Sequence, residues 1–335
     1  MSRRLADVAK KVGVSEATVS RVLNGRPGVS DQTRQAILSA LDVLGYERPT
    51  KLRGDRARLV GLFLPELQNP IFPAFGEVVA AALAQNGFTP VLCTQTAGGI
   101  SEAEYVDLLL QQQVAGVVFM SGSHAVTNAD HEHFERLRGL GIPGVLVNGA
   151  YPSSGFATVS SDDESAAEQA YAHLAQLGHE RIALLLGPGE HIPSQRKAAG
   201  AARAAVRTGV PIHEDLVVHA HYSLEAGQAA ATRVVAAGAT AIVCASDLMA
   251  LGAVRAVRRA GLRVPEDVSV IGYDDSALMN SVDPPLTTVR QPIDPMARMV
   301  IELLVSQMGD SAAAPDEYLF EPELVVRAST APRQR

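Results

Sequence analysis

Tryptophan is absent from the 335 residues, aromatics make up only 4%, and there are just two cysteines. Cys93 and Cys244 each sit inside an apolar run rather than in a redox or metal-ligand pair. A disulfide-stapled fold is therefore excluded, and a reducing cytoplasm is the expected compartment. No apolar run reaches the roughly 18 to 20 residues that a membrane span requires. Met1-Ser2-Arg3-Arg4 opens onto a polar segment, which argues against an export signal. Enzyme signatures are missing as well. There is no HExxH and no G-x-S-x-G, and Gly187-Pro188-Gly189 lacks the spacing of a phosphate cradle. His131 and His133 point apart at a helix start. His219 and His221 would share one strand face, but two ligands do not make a zinc site. Neither catalysis nor a metal or other cofactor is expected.

What is present is a folding chain: 47% hydrophobic, 19% charged, with 28 glycines and 19 prolines. The length suits two or three domains rather than one core. Net charge is −7, but it is unevenly placed. Residues 1–58 hold 12 Lys and Arg against 6 Asp and Glu, whereas the remaining 277 hold 17 against 30. A basic head on an acidic body fits a small nucleic-acid-binding module attached to a body with another task.

Inside that head, Leu5, Val8 and Ala9 recur at helical spacing until Val12-Gly13-Val14 interrupts them. Gly13 stands where a tight interhelical turn favours positive φ. Ser15 is the expected N-cap of a second helix, with Glu16 in its first turn. Ala17, Val19, Val22 and Leu23 are expected on the buried side, opposite Glu16, Thr18, Ser20 and Arg21. A third helix starts at Ser30-Asp31 and runs through Ile37, Leu38, Leu41 and Leu44 to a cap at Gly45. This pattern is a helix-turn-helix, whose second helix enters the major groove. The head spans 1–46, and 47–58 form a hinge.

The body, 59–335, alternates strands with helices, as parallel sheets covered on both faces do. Expected strands are Leu59–Leu64, Pro90–Gln95, Val114–Met120, Val145–Asn148, Arg181–Leu186, Leu216–Ala220, Ala241–Ala245 and Val268–Tyr273. Expected helices are Ala74–Gln85, Ala103–Gln113, Glu164–Leu177, Lys197–Val206, Glu225–Ala237 and Leu248–Ala260. So long a body divides into two lobes, with Thr287–Pro292 and Leu324–Val326 carrying the chain between them. One lobe takes 59–159 and 290–319, the other 160–289 and 320–331. Ligands of such sheets bind beyond the carboxyl ends of the strands, here facing each other across a cleft.

LADVAKKVGVSEATVSRVLNG (Leu5–Gly25), Val29–Arg34 and Leu44–Tyr46 resemble the headpiece of the LacI/GalR family of transcriptional regulators. GLFLPELQNPIF, LGHERIALLLGP, CASDLMALGAVRAV, VPEDVSVIGYDD and PPLTTVRQP extend the likeness through the body. The resemblance implies a periplasmic-binding-protein-like fold, and a homodimer whose two heads read a pseudo-palindromic operator in double-stranded DNA. No heptads follow the last strand, so a tail-coil tetramer is not expected. Glu16 and Ala17 would face base edges, Arg21 a base or phosphate, with Ser15, Thr18, Ser20 and Asn24 positioning the helix on the backbone. Plain helix surface is the alternative for Thr18 and Ser20. Leu52 would wedge into the minor groove. Only five residues separate it from Tyr46, shorter than the usual family spacing, and a plain linker leucine is the alternative.

By the same resemblance, Asn69, Phe72, Asn148, Lys197, Tyr222, Ser246, Asp247, Asp274 and Gln291 would bind a small-molecule effector. Amides and carboxylates suit vicinal hydroxyls, and Phe72 and Tyr222 suit the apolar face of a sugar ring. Asp274 could instead be a cap or ion-pair member, and Tyr222 a surface aromatic. Lys197 stands where many family members carry arginine, and it cannot make a planar bidentate fork. Ile192–Lys197 is similar to maltose-type regulators, so an α-glucoside is the leading effector and a repressor of carbohydrate utilisation the leading function. A corepressor-dependent regulator with a nucleobase or a protein partner is the alternative. A transport-type binding protein would share the body but lack the head.

Overall fold

The computed structural model describes residues 2–23, 28–43, 58–95, 98–309 and 316–334. The chain separates into two compact units, Met1–Arg58 and Leu59–Arg335. In the first, α1 (Ser2–Val12), α2 (Glu16–Leu23) and α3 (Asp31–Val43) pack around Val8, Ala9, Val19, Val22, Ile37 and Ala40. Gly13, at φ +76°, lets its own amide and that of Val14 donate to the Ala9 carbonyl, which ends α1. The Ser15 hydroxyl accepts from the Thr18 amide at 3.2 Å, and that of Ser30 accepts from the Thr33 amide at the same distance. Ala17 departs from the expectation above. It is exposed beside Glu16 and Arg21, because Val19 and Val22, with Leu23 packed at their edge, make the core side of α2. The expected cap at Gly45 lies outside the described residues.

The second unit contains two six-stranded sheets. The first runs in the order β11-β5-β4-β3-β1-β2, from Glu317–Phe320, Ala157–Ser161, Gly144–Val147, Gly116–Met120, Arg58–Leu64 and Phe88–Thr94. The second runs β12-β10-β9-β8-β6-β7, from Glu323–Val325, Thr287–Arg290, Ser269–Asp274, Ala241–Cys244, Ile182–Leu186 and Val217–His219. β10 and β12 pair antiparallel, while β6, β7, β8, β9 and β10 run parallel. Strands such as β3 and β6 are buried along their whole length, as sheets covered on both faces require.

α4 (Ile71–Gln85) and α11 (Ile293–Gln307) cover one face of the first sheet, and α5 (Glu102–Gln111) and α6 (Glu132–Gly139) the other. α7 (Asp163–Gln176) and α8 (Ile192–Thr208) cover one face of the second sheet, and α9 (Leu224–Ala236) and α10 (Asp247–Arg259) the other. These two helix pairs touch backbone to backbone. A β-carbon at Gly200 would overlap the Glu164 carbonyl, and one at Gly227 would lie 2.5 Å from Cα of Met249. The chain passes between the sheets after β5, after β10 and after β11. Thr287–Pro292 and Leu324–Val326, expected as connecting segments, largely belong to β10 and β12. His219 ends β7 and His221 lies beyond it, so the two do not share a strand face. Among the described residues no group of three or more His, Cys, Asp or Glu could hold a metal, and no helix is long and apolar enough to cross a membrane.

Candidate functional site

On the first unit, α2 presents Ser15, Glu16, Ala17 and Arg21 to solvent, with Thr18 and Ser20 half-buried. Ser15 and Thr18 share a hydrogen bond between hydroxyls at 2.8 Å, so both also serve the cap. Asn24 and Leu52 lie outside the described residues.

The second unit holds a cleft of about 850 Å³ walled by strand ends from both sheets. Asn69, Phe72, Asn148, Lys197, Tyr222, Ser246, Asp274 and Gln291 all line it; Asp247 does not. A relay of side-chain amides ties the two sheets together at its base. Asn148 ends β4 at φ +55°, accepts from the Ser161 amide at 3.0 Å, and donates to Gln291 Oε1 at 3.0 Å. Gln291 in turn donates to Asp274 Oδ1 at 2.7 Å. The second carboxyl oxygen of Asp274 is buried and has no hydrogen-bond partner. Burial, reinforced by the nearby Asp247 carboxylate, pushes Asp274 well above the usual carboxylate range. Asp274 and Asp275 also hold φ of +114° and +55°, where side chains are strained. Arg290 and Arg327 secure this bend, reaching the two oxygens of Asp275 at 2.7 and 2.6 Å. A buried, unsatisfied carboxyl oxygen on a cleft wall is free to bond a polar group that enters the cleft.

Asp247 plays a different part. It accepts from Thr288 Oγ1 at 2.6 Å, the Ser276 amide at 2.8 Å and Ser276 Oγ at 2.9 Å, so it braces the Asp274 loop from behind. Burial pushes it up to about 6. The hydroxyl of Ser246 is engaged as N-cap of α10, accepting from the Met249 amide at 3.3 Å. Tyr222 bonds Ser194 Oγ at 2.9 Å, which sets its ring at the cleft edge.

Sequence reasoning missed Asp163, Tyr273, His191 and His221, which also line the cleft. Asp163 pairs with Lys197 and accepts from the Tyr273 hydroxyl at 3.0 Å. Its only sequence signal is an acid in a helix first turn, which reads as a dipole partner. His191 belongs to a bridge across the cleft mouth. Val126 pairs antiparallel with His191, and the Thr127 amide donates to the Glu190 carbonyl at 3.0 Å. The loop carrying Val126 is anchored by buried Glu102, which accepts from Ser123 Oγ at 2.5 Å and bonds His133 Nε2 at 2.7 Å. Burial alone would raise Glu102, but these bonds and the neighbouring His124 and His133 hold it below the ordinary value.

Two family models match the chain. One describes bacterial regulatory proteins of the lacI family, over residues 4–49, and the other a periplasmic binding protein-like domain, over 171–330. The HTH-type transcriptional regulator reg1 of Streptomyces lividans is 52% identical over 99% of this chain and 97% of its own length. The HTH-type transcriptional regulator MalR of Streptomyces coelicolor is 51% identical over the same shares. Among solved structures, the transcriptional regulator CelR–cellobiose complex is 33% identical, with a TM-score of 0.73 over 97% of this chain and 99% of that one. The lac repressor dimer bound to operator and the anti-inducer ONPF is 27% identical, with a TM-score of 0.74 over 97% and 98%. With its head, its cleft and more than half its residues shared end to end with such regulators, the chain belongs to the LacI family of bacterial transcriptional regulators.

Proposed function

We propose that the chain is a cytoplasmic homodimeric repressor of carbohydrate-utilisation genes, released from its operator by an α-glucoside of maltose type. The observation that carries the sugar reading is the unpartnered buried oxygen of Asp274, set among the amides of Asn69, Asn148 and Gln291 in a cleft edged by Phe72 and Tyr222. Polar groups that fix orientation beside rings that cover an apolar face are what a carbohydrate site needs. The similar regulator solved with cellobiose supports a disaccharide of glucose units. The chain binds this ligand without transforming it, in keeping with relatives that are transcriptional regulators.

On DNA, Glu16, Ala17 and Arg21 address base edges while Ser15, Thr18, Ser20 and Asn24 set the register, and Leu52 enters the minor groove. The lac repressor relative, a dimer on its operator, supports the two-fold arrangement. The effector shifts a population: it prefers one arrangement of the two lobes and so disfavours the DNA-bound one.

Fluorescence anisotropy of the full chain on DNA from its own upstream region, at fixed salt and with a sugar panel led by maltose, tests this. Tight binding weakened by maltose is the expected result. Tight binding indifferent to every sugar overturns the effector assignment and leaves the DNA reading in place.

A further inference from the structure

Lys197, on the cleft wall, is already engaged. Among the described residues lining the cleft, Lys197 is the only Lys or Arg, against the carboxyls of Glu66, Asp163 and Asp274. Lys197 and Asp163 are both buried, 6% and 3% exposed, and form an ion pair. The Tyr273 hydroxyl donates to the same Asp163 oxygen at 3.0 Å. The ring of Tyr273 lies 3.8 Å from the Lys197 ammonium. The lysine is thus held between a carboxylate and an aromatic face, both within the protein.

We infer, building on the sugar-effector reading, that this pair makes the cleft selective for uncharged sugars over phosphorylated or acidic ones, with Asp163 as the residue that sets the choice. An anionic group reaching Lys197 would have to share it with Asp163, which weakens the compensation of a buried carboxylate. Among the described residues the cleft wall offers no second Lys or Arg, so nothing else there compensates an incoming anion. Helix starts offer little relief, although they bind phosphate readily elsewhere. Those of α9 and α10 are capped by Ser223 and Ser246, that of α7 carries Asp162 and Asp163, Pro193 removes an amide from α8, and at α4 the Ile71 and Phe72 amides already donate to Asn69. A neutral hydroxyl meets none of these obstacles and satisfies the vacant oxygen of Asp274.

Isothermal titration of the full chain with maltose, maltose 6′-phosphate and inorganic phosphate tests the inference. Wild type should bind maltose about 100-fold more tightly than the phosphate ester, which is about 2.8 kcal/mol, with no saturable binding of inorganic phosphate. Asp163→Asn, which frees the lysine, should narrow that ratio at least about tenfold. Wild type binding the ester as tightly as maltose overturns the charge selection while the sugar reading stands. Binding of neither sugar overturns both. A folded Asp163→Asn protein with an unchanged ratio removes Asp163 from the role. Should that variant not fold, Lys197→Gln keeps the lone carboxylate and should widen the ratio; a narrower one overturns the inference.

Discussion

A β-carbon at Gly187 would lie 2.5 Å from Ser194 Oγ and closer still to the hydroxyl end of Tyr222, inside the 3.0 Å that real side chains respect. The backbone at Gly187 does not need a left-handed conformation, so Gly187→Ala isolates the effect of one methyl group. Ser194 is fully buried and cannot withdraw, whereas Tyr222 has the open cleft on one side. The ring end must therefore retreat into the cleft by roughly 1 Å, at the 1–3 kcal/mol typical of overpacking. Losing the 2.9 Å bond between Ser194 and Tyr222 adds about 1 kcal/mol. Stability should fall by about 2–4 kcal/mol, read as a lowered Tm. Maltose affinity should fall at least about 100-fold, because the displaced ring loses its stacking pose and occupies ligand volume. Titration calorimetry gives the affinity, and operator binding without sugar should match wild type. A Gly187→Ala protein that binds maltose within about threefold of wild type would refute the placement of Tyr222 against the ligand.

Three further outcomes follow from the same geometry. Arg21→Ala should weaken operator binding by about 1–3 kcal/mol at fixed salt; an unchanged affinity takes Arg21 out of the interface. Asp274→Ala should keep operator affinity yet abolish release by sugar, and a retained response would move the ligand elsewhere in the cleft. Asp247, raised to about 6 from an unfolded value near 3.9, lends stability that is full below about pH 3.9 and is lost as pH rises through about 6. Asp247→Asn should thus gain on wild type by about 2 kcal/mol between pH 4 and 7 in denaturant melts, and a pH-independent difference would contradict it.

The head was readable in sequence because its signals are local: a glycine at positive φ and two serine caps, each within a few residues of what it serves. Ala17 was misplaced since a lone alanine fits either side of a short helix, and only the packing of Val19 and Val22 decides. β5 escapes the sequence reading because three of the five residues of Ala157–Ser161 carry hydroxyls, and β11 because it is a short edge strand with two exposed positions. Asp163 on the cleft wall and Asp247 behind it look alike in sequence, each the first residue of a helix. One turns to Lys197, 34 residues on, and the other to Ser276 and Thr288, 29 and 41 residues on. Such long-range partners leave no mark in local spacing.

The bridge at the cleft mouth joins Val126 to His191 and the Thr127 amide to the Glu190 carbonyl, with the Thr127 hydroxyl adding a side-chain bond to that carbonyl, so it is drawn largely in main chain. Peptide groups are common to every residue, and this join is therefore nearly blind to side-chain identity. The side chains proposed to recognise a ligand, Asp274 and Gln291 among them, lie elsewhere on the walls. Ligand preference and the holding together of the two walls can accordingly drift apart in evolution, one changing by substitution while the other stays as it was.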